Sequence, residues 1–186
     1  MEVVDLSLIG ARFVTPRRYG DDRGFFSEVY NLRQFAENGI EHAFVQDNHS
    51  YSAAKGTVRG LHYQAPPFAQ TKLVRVLAGS IYDVIVDVRK GSPNFGQHIG
   101  VHLDATGSQL LVPKGFLHGF ITLEPDTHVL YKVDAYYSAE ADGCVKWDDP
   151  DLGIDWGPAA ENATLSDKDR NASSYNNFQT PFVFEA

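Results

Sequence analysis

The chain has 186 residues, the size of one ordinary domain and long enough to bury roughly 70% of its unfolded surface without a metal or disulfide staple. Hydrophobic residues at 43% and charged residues at 22% exclude disordered and fibrous classes, and 16 Lys plus Arg against 24 Asp plus Glu give a net charge of −8, the wrong sign for a broad nucleic-acid surface. Cys144 is the only cysteine, the N-terminus MEVVDLSLIG lacks the basic start and apolar stretch of a secretory signal, and the most apolar stretch is broken by Arg75, Asp83 and Asp87, so the expectation is a cytoplasmic protein that neither forms disulfides nor spans a membrane.

In chain order, runs rich in β-branched and aromatic residues predict strands over 25–30, 44–48, 58–63, 72–77, 81–88, 99–103, 109–112, 116–123 and 129–135. Turn residues such as Ala78-Gly79-Ser80, Gly91-Ser92-Pro93-Asn94 and Glu124-Pro125-Asp126 punctuate them, and this spacing predicts a sandwich or barrel. One short helix is expected early, capped by Asn31, with Leu32 and Phe35 on one face and Gly39 at its end. Ser166 and Asp169 form a capping-box pattern that starts a second short helix near 165. The segment WDDPDLGIDW is acidic but lacks the ligand spacing of an EF-hand, and it reads better as a Pro-containing turn with capping aspartates. The tail from Asn171, polar and then aromatic, is either a loose end or a docked segment.

Two histidines stand in strand patterns, His62 in VRGLHYQ and His118 in GFLHGFITL. A strand histidine is more often a packed, hydrogen-bonded group than a catalyst, but the spacing Gly107, Pro113, Gly115, His118 resembles the second cupin motif. Cupins are double-sheet jelly rolls, consistent with the strand pattern. The first motif begins with Gly56 and His62, yet the position two beyond His62 is Gln64, and no glutamate lies between His62 and Gly79. Two histidines alone are a poor cage for a transition metal, so the expectation is an all-β cupin-type double-stranded β-helix without a metal.

That combination resembles the dTDP-4-dehydrorhamnose 3,5-epimerases, cofactor-free cupin enzymes. The carrying segments are DDRGFFSEVYN from Asp21, FVQDNHS from Phe44, GTVRGLHYQ from Gly56, KLVRVLAGSIYDVIVDVRKGSPNFG from Lys72, VPKGFLHGF from Val112, YKVDAYYS from Tyr131, WDDPDLGIDW from Trp147 and LSDKD from Leu165. The resemblance implies exchange of the C3 and C5 protons beside the C4 ketone of dTDP-4-dehydro-6-deoxy-D-glucose, and a place in O-antigen or cell-wall polysaccharide biosynthesis. It implies His62 as the base, Asp169 as its partner, Tyr131 as the acid on the opposite side, and Lys72 and His118 as holders of the C4 oxygen. Arg23 and Arg59 match the diphosphate contacts; Glu28, Gln46, Asp47, Asn48 and Lys168 match further ligand contacts; Tyr137 resembles the residue stacked on thymine, and Phe26 a wall of the nucleotide site. Asp142 stands where the family commonly has glutamate, a carboxylate one methylene shorter. Asp83 is a second carboxylate candidate near the histidines, because it alternates with Ile81 and Ile85, with a solvated strand position as the other reading.

Arg59 and His62 are three apart, so strict alternation puts them on opposite faces. Either they serve different protomers or Gly60 marks a bulge. The resemblance also implies a homodimer with exchanged strands near the N-terminus, in which Arg23 and Glu28 reach a neighbour's pocket. The rival readings are a C3- or C5-only epimerase of the same family, a metal-dependent cupin isomerase or dioxygenase, and a non-catalytic sugar-binding cupin.

Overall fold

The computed structural model describes residues 1–185. Its strands in chain order are β1 (Glu2–Asp5), β2 (Arg12–Thr15), β3 (Arg18–Asp21), β4 (Gly24–Ser27), β5 (Gln46–Ser52), β6 (Val58–Gln64), β7 (Lys72–Ala78), β8 (Ser80–Asp87), β9 (His98–Asp104), β10 (Gln109–Val112), β11 (Phe116–Thr122), β12 (Thr127–Val133) and β13 (Asp142–Cys144). Two short α-helices, α1 (Leu32–Glu37) and α2 (Asp167–Arg170), complete the frame. The strands pair antiparallel into a six-stranded sheet, β1-β2-β10-β7-β12-β5, and a five-stranded sheet, β13-β6-β11-β8-β9, with β3 and β4 as a separate hairpin. This is the expected jelly roll. Two whole strands at the N-terminus, the first strand of the hairpin and the three-residue β13 lie outside the sequence expectation, because such short segments carry too few residues to alternate visibly.

Alternation within the strands divides the core into three layers. Val74, Val76, Leu110, Val112 and Val129 of the six-stranded sheet meet Ile81, Ile85, Leu103, Phe116 and Phe120 of the five-stranded sheet, so this layer lies between the two. The opposite face of the five-stranded sheet carries Val58, Leu61, Val84, Val86, Leu117 and Ile121, covered by Trp147, Leu152, Trp156 and Phe182 from the C-terminal third. Leu73, Leu111 and Val14 on the outer face of the six-stranded sheet are covered by Phe35 and Ile40. Strands β8 and β11 are thus buried on both sides, which is why they read as nearly continuous apolar runs.

The local signals act as their chemistry requires. Asn31 Oδ1 accepts from Arg33 and Gln34 N–H at the start of α1, and Gly39 takes φ +72° just beyond its end. Phe35 is buried, but Leu32 is half exposed, so the two do not share the packed face expected of them. Ser166 Oγ accepts from Asp169 N–H to open α2. In WDDPDLGIDW the aspartates do cap turns: Asp149 accepts from the N–H groups of Asp151 and Tyr175, and Asp155 from that of Gly157. The tail docks on its own body, with backbone hydrogen bonds tying Phe182 and Phe184 to Lys90. Among the described residues no helix is long and apolar enough to cross a membrane.

Two buried carboxylates brace loops around this core. Asp87 takes the Arg89 guanidinium at 2.6 Å and the Ser92 hydroxyl at 2.7 Å, and Asp134 takes the Thr71 N–H at 2.7 Å, Lys114 at 3.1 Å and His42 at 3.3 Å. Burial alone would raise both pKa values, but these donors outweigh it and hold both below the usual carboxylate value. A depressed folded-state pKa contributes stability that is complete above the unfolded value of about 4 and is lost as pH falls through the folded one. The urea midpoint is therefore expected to be level above about pH 5 and to drop steeply below about pH 4; a midpoint insensitive to acid would contradict the assignment.

Candidate active site

The layer between the sheets is apolar at one end and polar at the other. At the polar end, a cavity of about 330 Å³ is lined by Ser50, Arg59, His62, Lys72, His118, Phe120, Tyr131 and Asp169 among others. A second cavity of about 470 Å³ shares His62, Lys72 and Tyr131 with the first and adds Gln46, Asn48, Gln64, Tyr137, Asp142 and Lys168. Together they form one two-lobed cleft of a size suited to a nucleotide-sized ligand. The five-stranded sheet supplies His62, His118 and Arg59, and the six-stranded sheet supplies Lys72, Tyr131, Gln46 and Asn48, so the two groups of side chains form facing walls.

The conflict between Arg59 and His62 is resolved at Gly60. Strand β6 pairs with β11 through His62↔His118 and then Arg59↔Phe120, a shift of register that takes Gly60 out of the alternation. Val58 and Leu61 point to the outer core, while Arg59 and His62 both line the cleft. Gly60 has φ +137°, and a Cβ there would lie 2.5 Å from Gly119 Cα and 2.9 Å from the His118 carbonyl oxygen. Only glycine fits such a crossing. The guanidinium of Arg59 is then aimed by hydrogen bonds to the Tyr51 carbonyl at 2.9 Å and Ser52 Oγ at 3.3 Å.

His62 donates from Nε2 to Asp169 Oδ1 at 2.5 Å, leaving Nδ1 as its lone-pair nitrogen. Asp169 is buried and also takes the Ser166 hydroxyl at 2.9 Å, so the serine that opens α2 also holds the carboxylate that orients the histidine. Burial would push the Asp169 carboxyl up, but hydrogen bonds from His62, Ser166 and Cys144 and the charge of His62 hold it down, as a carboxylate. Directly beside His62 in the sheet, His118 Nε2 lies 2.9 Å and 3.1 Å from the two oxygens of Asp83, which is fully buried between the sheets with Ile81 and Ile85. The interior reading of Asp83 is the one realised. A carboxylate only accepts, so His118 carries its proton on Nε2. Burial lowers the His118 pKa, opposed by Asp83 and reinforced by Lys72 and His62.

Across the gap, Lys72 is brought down to about 8 by burial, with Asp83 and Asp142 pulling the other way. Tyr131 is raised, chiefly by burial, and so holds its proton at neutral pH. In the second lobe Asp142 pairs with the Lys168 ammonium and accepts from the Tyr137 hydroxyl at 3.3 Å. Gln46 accepts from the Tyr137 backbone N–H at 3.2 Å and donates to Asn48 at 2.8 Å. The shorter carboxylate of Asp142 is thus long enough to connect both partners. Gln64, in the position of the missing metal histidine, is anchored instead: it donates to the carbonyls of Phe68 and Tyr136 and accepts from the Ser138 N–H.

Four expected residues lie elsewhere in the chain. Asp47 alternates with Gln46 and Asn48 and therefore faces outward, paired with Lys132 at 2.7 Å; its side chain is not in the cleft. Arg23 and Phe26 sit on the exposed β3–β4 hairpin, Arg23 bridged to Asp21, and Glu28 accepts from Gln34 Nε2 at 2.8 Å. None of these lines either lobe of this chain's own cleft.

Conversely, a residue that the sequence reading did not connect with the site stands directly behind it, in contact with Asp169 though lining neither lobe. Cys144, on β13 opposite His62, donates weakly to Asp169 Oδ1 at 3.6 Å. Its thiol is pushed up to about 12, first by burial and then by Asp169. Among the described residues, His62, Cys144 and Asp169 are the only group of three whose ligand atoms could meet one metal ion.

The crossing at Gly60 predicts that Gly60→Ala, although the smallest possible change, disrupts both Arg59 and His62. A circular-dichroism melt should show destabilisation of about 1–3 kcal/mol or more; unchanged stability and activity would contradict the geometry.

A model of the family described as dTDP-4-dehydrorhamnose 3,5-epimerase matches residues 5–177. A curated protein of that name from Sinorhizobium fredii is 51% identical over 170 residues, covering 91% of this chain and 87% of its own. Among solved structures, the dTDP-4-dehydrorhamnose 3,5-epimerase of Bacillus anthracis, with TDP and pyrophosphate bound, is 53% identical with a TM-score of 0.90, over 93% of this chain and 98% of its own. The dTDP-6-deoxy-D-glucose-3,5-epimerase of Legionella pneumophila, in complex with dTDP-4-keto-L-rhamnose, is 42% identical with a TM-score of 0.93, over 100% of this chain and 99% of its own. With the family model spanning nearly all of the chain and relatives above 50% identity, this protein belongs to the dTDP-4-dehydrorhamnose 3,5-epimerase family.

Proposed function

We propose that this protein is an isomerase that converts dTDP-4-dehydro-6-deoxy-D-glucose to dTDP-4-dehydro-L-rhamnose by removing and returning protons at C3 and C5. The observation that carries this reading is the His62–Asp169 pair on one wall of the cleft with Tyr131 and Lys72 on the other. Inversion at carbon needs a base on one face of the ring and a proton donor on the other, and the two sheets hold these groups apart by construction.

In this mechanism His62 Nδ1 takes the proton at C3 and at C5, and the resulting imidazolium is stabilised by Asp169. Lys72 offers its ammonium to the developing C4 enolate oxygen, and Tyr131 delivers a proton from the opposite face. His118 already donates Nε2–H to Asp83, so it can donate to the C4 oxygen only as an imidazolium, from Nδ1. Its lowered pKa disfavours that form, which makes Lys72 the principal holder of the oxyanion. Arg59 binds diphosphate, with a guanidinium fork suited to phosphate oxygens. Tyr137, Gln46, Asn48, Asp142 and Lys168 form the nucleotide lobe.

Arg23, Phe26 and Glu28 belong to the proposal through a second chain. The hairpin exposes Tyr19, Phe25 and Phe26 to solvent, an apolar surface unusual for an isolated two-stranded ribbon. A homodimer in which the hairpin packs on a partner and brings Arg23 towards its cleft accounts for both. The free thiol of Cys144 favours work in a reducing compartment, the cytoplasm. Light scattering should give twice the chain mass; a monomer at working concentration would remove the shared-site reading.

Three outcomes test the chemistry. NMR of the substrate incubated with protein in deuterated water should show deuterium at both C3 and C5; label at one carbon would make it a single-position epimerase, and no label with folded protein would overturn the activity. His62→Ala and Asp169→Ala should lower kcat by about 10²- to 10⁴-fold while binding dTDP almost normally by calorimetry, because they act on the reacting carbons rather than the nucleotide. The kcat profile should fall as pH rises through about 8, where the Lys72 ammonium loses its proton. Lys72→Met should remove that limb at a cost of about 10²- to 10³-fold; a limb that persists in this variant would assign it to another group.

A further inference from the structure

Cys144 lines neither lobe of the cleft, but its thiol touches the His62–Asp169 pair and has no part in the proton chemistry. It faces His62 across the β6–β13 pair, and its Sγ lies 3.6 Å from the Asp169 oxygen that His62 Nε2 approaches to 2.5 Å. All three ligand atoms lie within 4.8 Å of one another. A nitrogen, a thiolate sulfur and a carboxylate oxygen are the donors that Zn²⁺ prefers, at roughly 2.0–2.3 Å each, which sets them roughly 3–4 Å apart around a tetrahedral ion. The Cys144–Asp169 separation already has that value, and the His62–Asp169 pair needs to open by only about 1 Å.

We propose that His62, Cys144 and Asp169 form a latent site for a thiophilic divalent cation such as Zn²⁺ or Cd²⁺, and that its occupation shuts off the catalytic base. The donor set differs from that of metal cupins, whose extra first-motif histidine position is held here by Gln64 in a loop-anchoring role. Inhibition follows from valence. In the metal-free site His62 carries its proton on Nε2 and keeps a lone pair on Nδ1; with the ion on Nε2, the ring proton moves to Nδ1, and no lone pair remains for the substrate. The thiol proton of Cys144 leaves to solvent as the thiolate binds. Binding of the ion is independent of the proposed reaction, whereas the inhibitory consequence rests on His62 being the base.

The test has two arms. Metal-stripped protein without substrate is titrated with Co²⁺; a thiolate-to-cobalt charge-transfer band, displaced by Zn²⁺ and absent in Cys144→Ala, is expected. In the second arm Zn²⁺ should block deuterium exchange into the substrate reversibly, with EDTA restoring it. Measured against its own metal-free rate, Cys144→Ala should need about tenfold more Zn²⁺ for the same fractional block. Absence of the band in the wild-type protein, a reading that needs no variant, overturns the site. Equal Zn²⁺ sensitivity of wild type and Cys144→Ala overturns the inhibitory role. A cobalt band in a protein that exchanges no deuterium even when metal-free would leave the site standing and refute the base.

Discussion

Ionisable groups between two packed sheets survive only where each has a partner, and this constraint organises the cleft. Asp83 is fully buried and is matched by His118; Asp169, almost as deep, is matched by His62 and by its own capping serine. An unpartnered charge at either position would cost several kcal/mol. Lys72 has no carboxylate in direct contact, and burial brings its pKa down to about 8 against the more distant pull of Asp83 and Asp142. The group left least compensated by the protein is thus the one placed to meet negative charge developing on a ligand.

The rest of the fold serves to hold these pairs at fixed separation. Strands β8 and β11 are covered on both faces, so Asp83 and His118 stand on the most deeply buried strands of the five-stranded sheet. The register shift at Gly60 then lets the neighbouring strand present Arg59 and His62 on the same side. Gln64 fastens the loops at Phe68 and Tyr136–Ser138 to the end of the same strand, which positions Tyr137 over the second lobe of the cleft. A position that could have ligated metal has become a structural brace.

Much of this was legible in the sequence where residues of one kind recur at a strand period. Strands β6 to β12 announced themselves through Val, Ile and Leu, and the capping pairs at Asn31 and Ser166 through their side-chain oxygens. Strand β5, QDNHSYS, was cut short at Asn48 because one of its faces lines the cleft and the other meets solvent, leaving little apolar signal. Its alternation also explains Asp47: three consecutive matching residues cannot all face one way, and the middle one points outward. The placement of Cys144 beside His62 could not be read at all, since β13 has only three residues and this proximity arises from sheet pairing between positions 82 apart in the chain. Arg23 and Glu28 mark the converse case, residues identified by motif whose surroundings in a single chain are solvent and local partners.

If the base and the acid stand on opposite walls, Tyr131→Phe should separate proton exchange from inversion. In deuterated water this variant retains His62 and should still exchange the C3 and C5 protons, returning label from the same face, while inversion to the L-rhamno product falls by at least about 10²-fold. Inversion at the wild-type rate in Tyr131→Phe would contradict the two-wall arrangement.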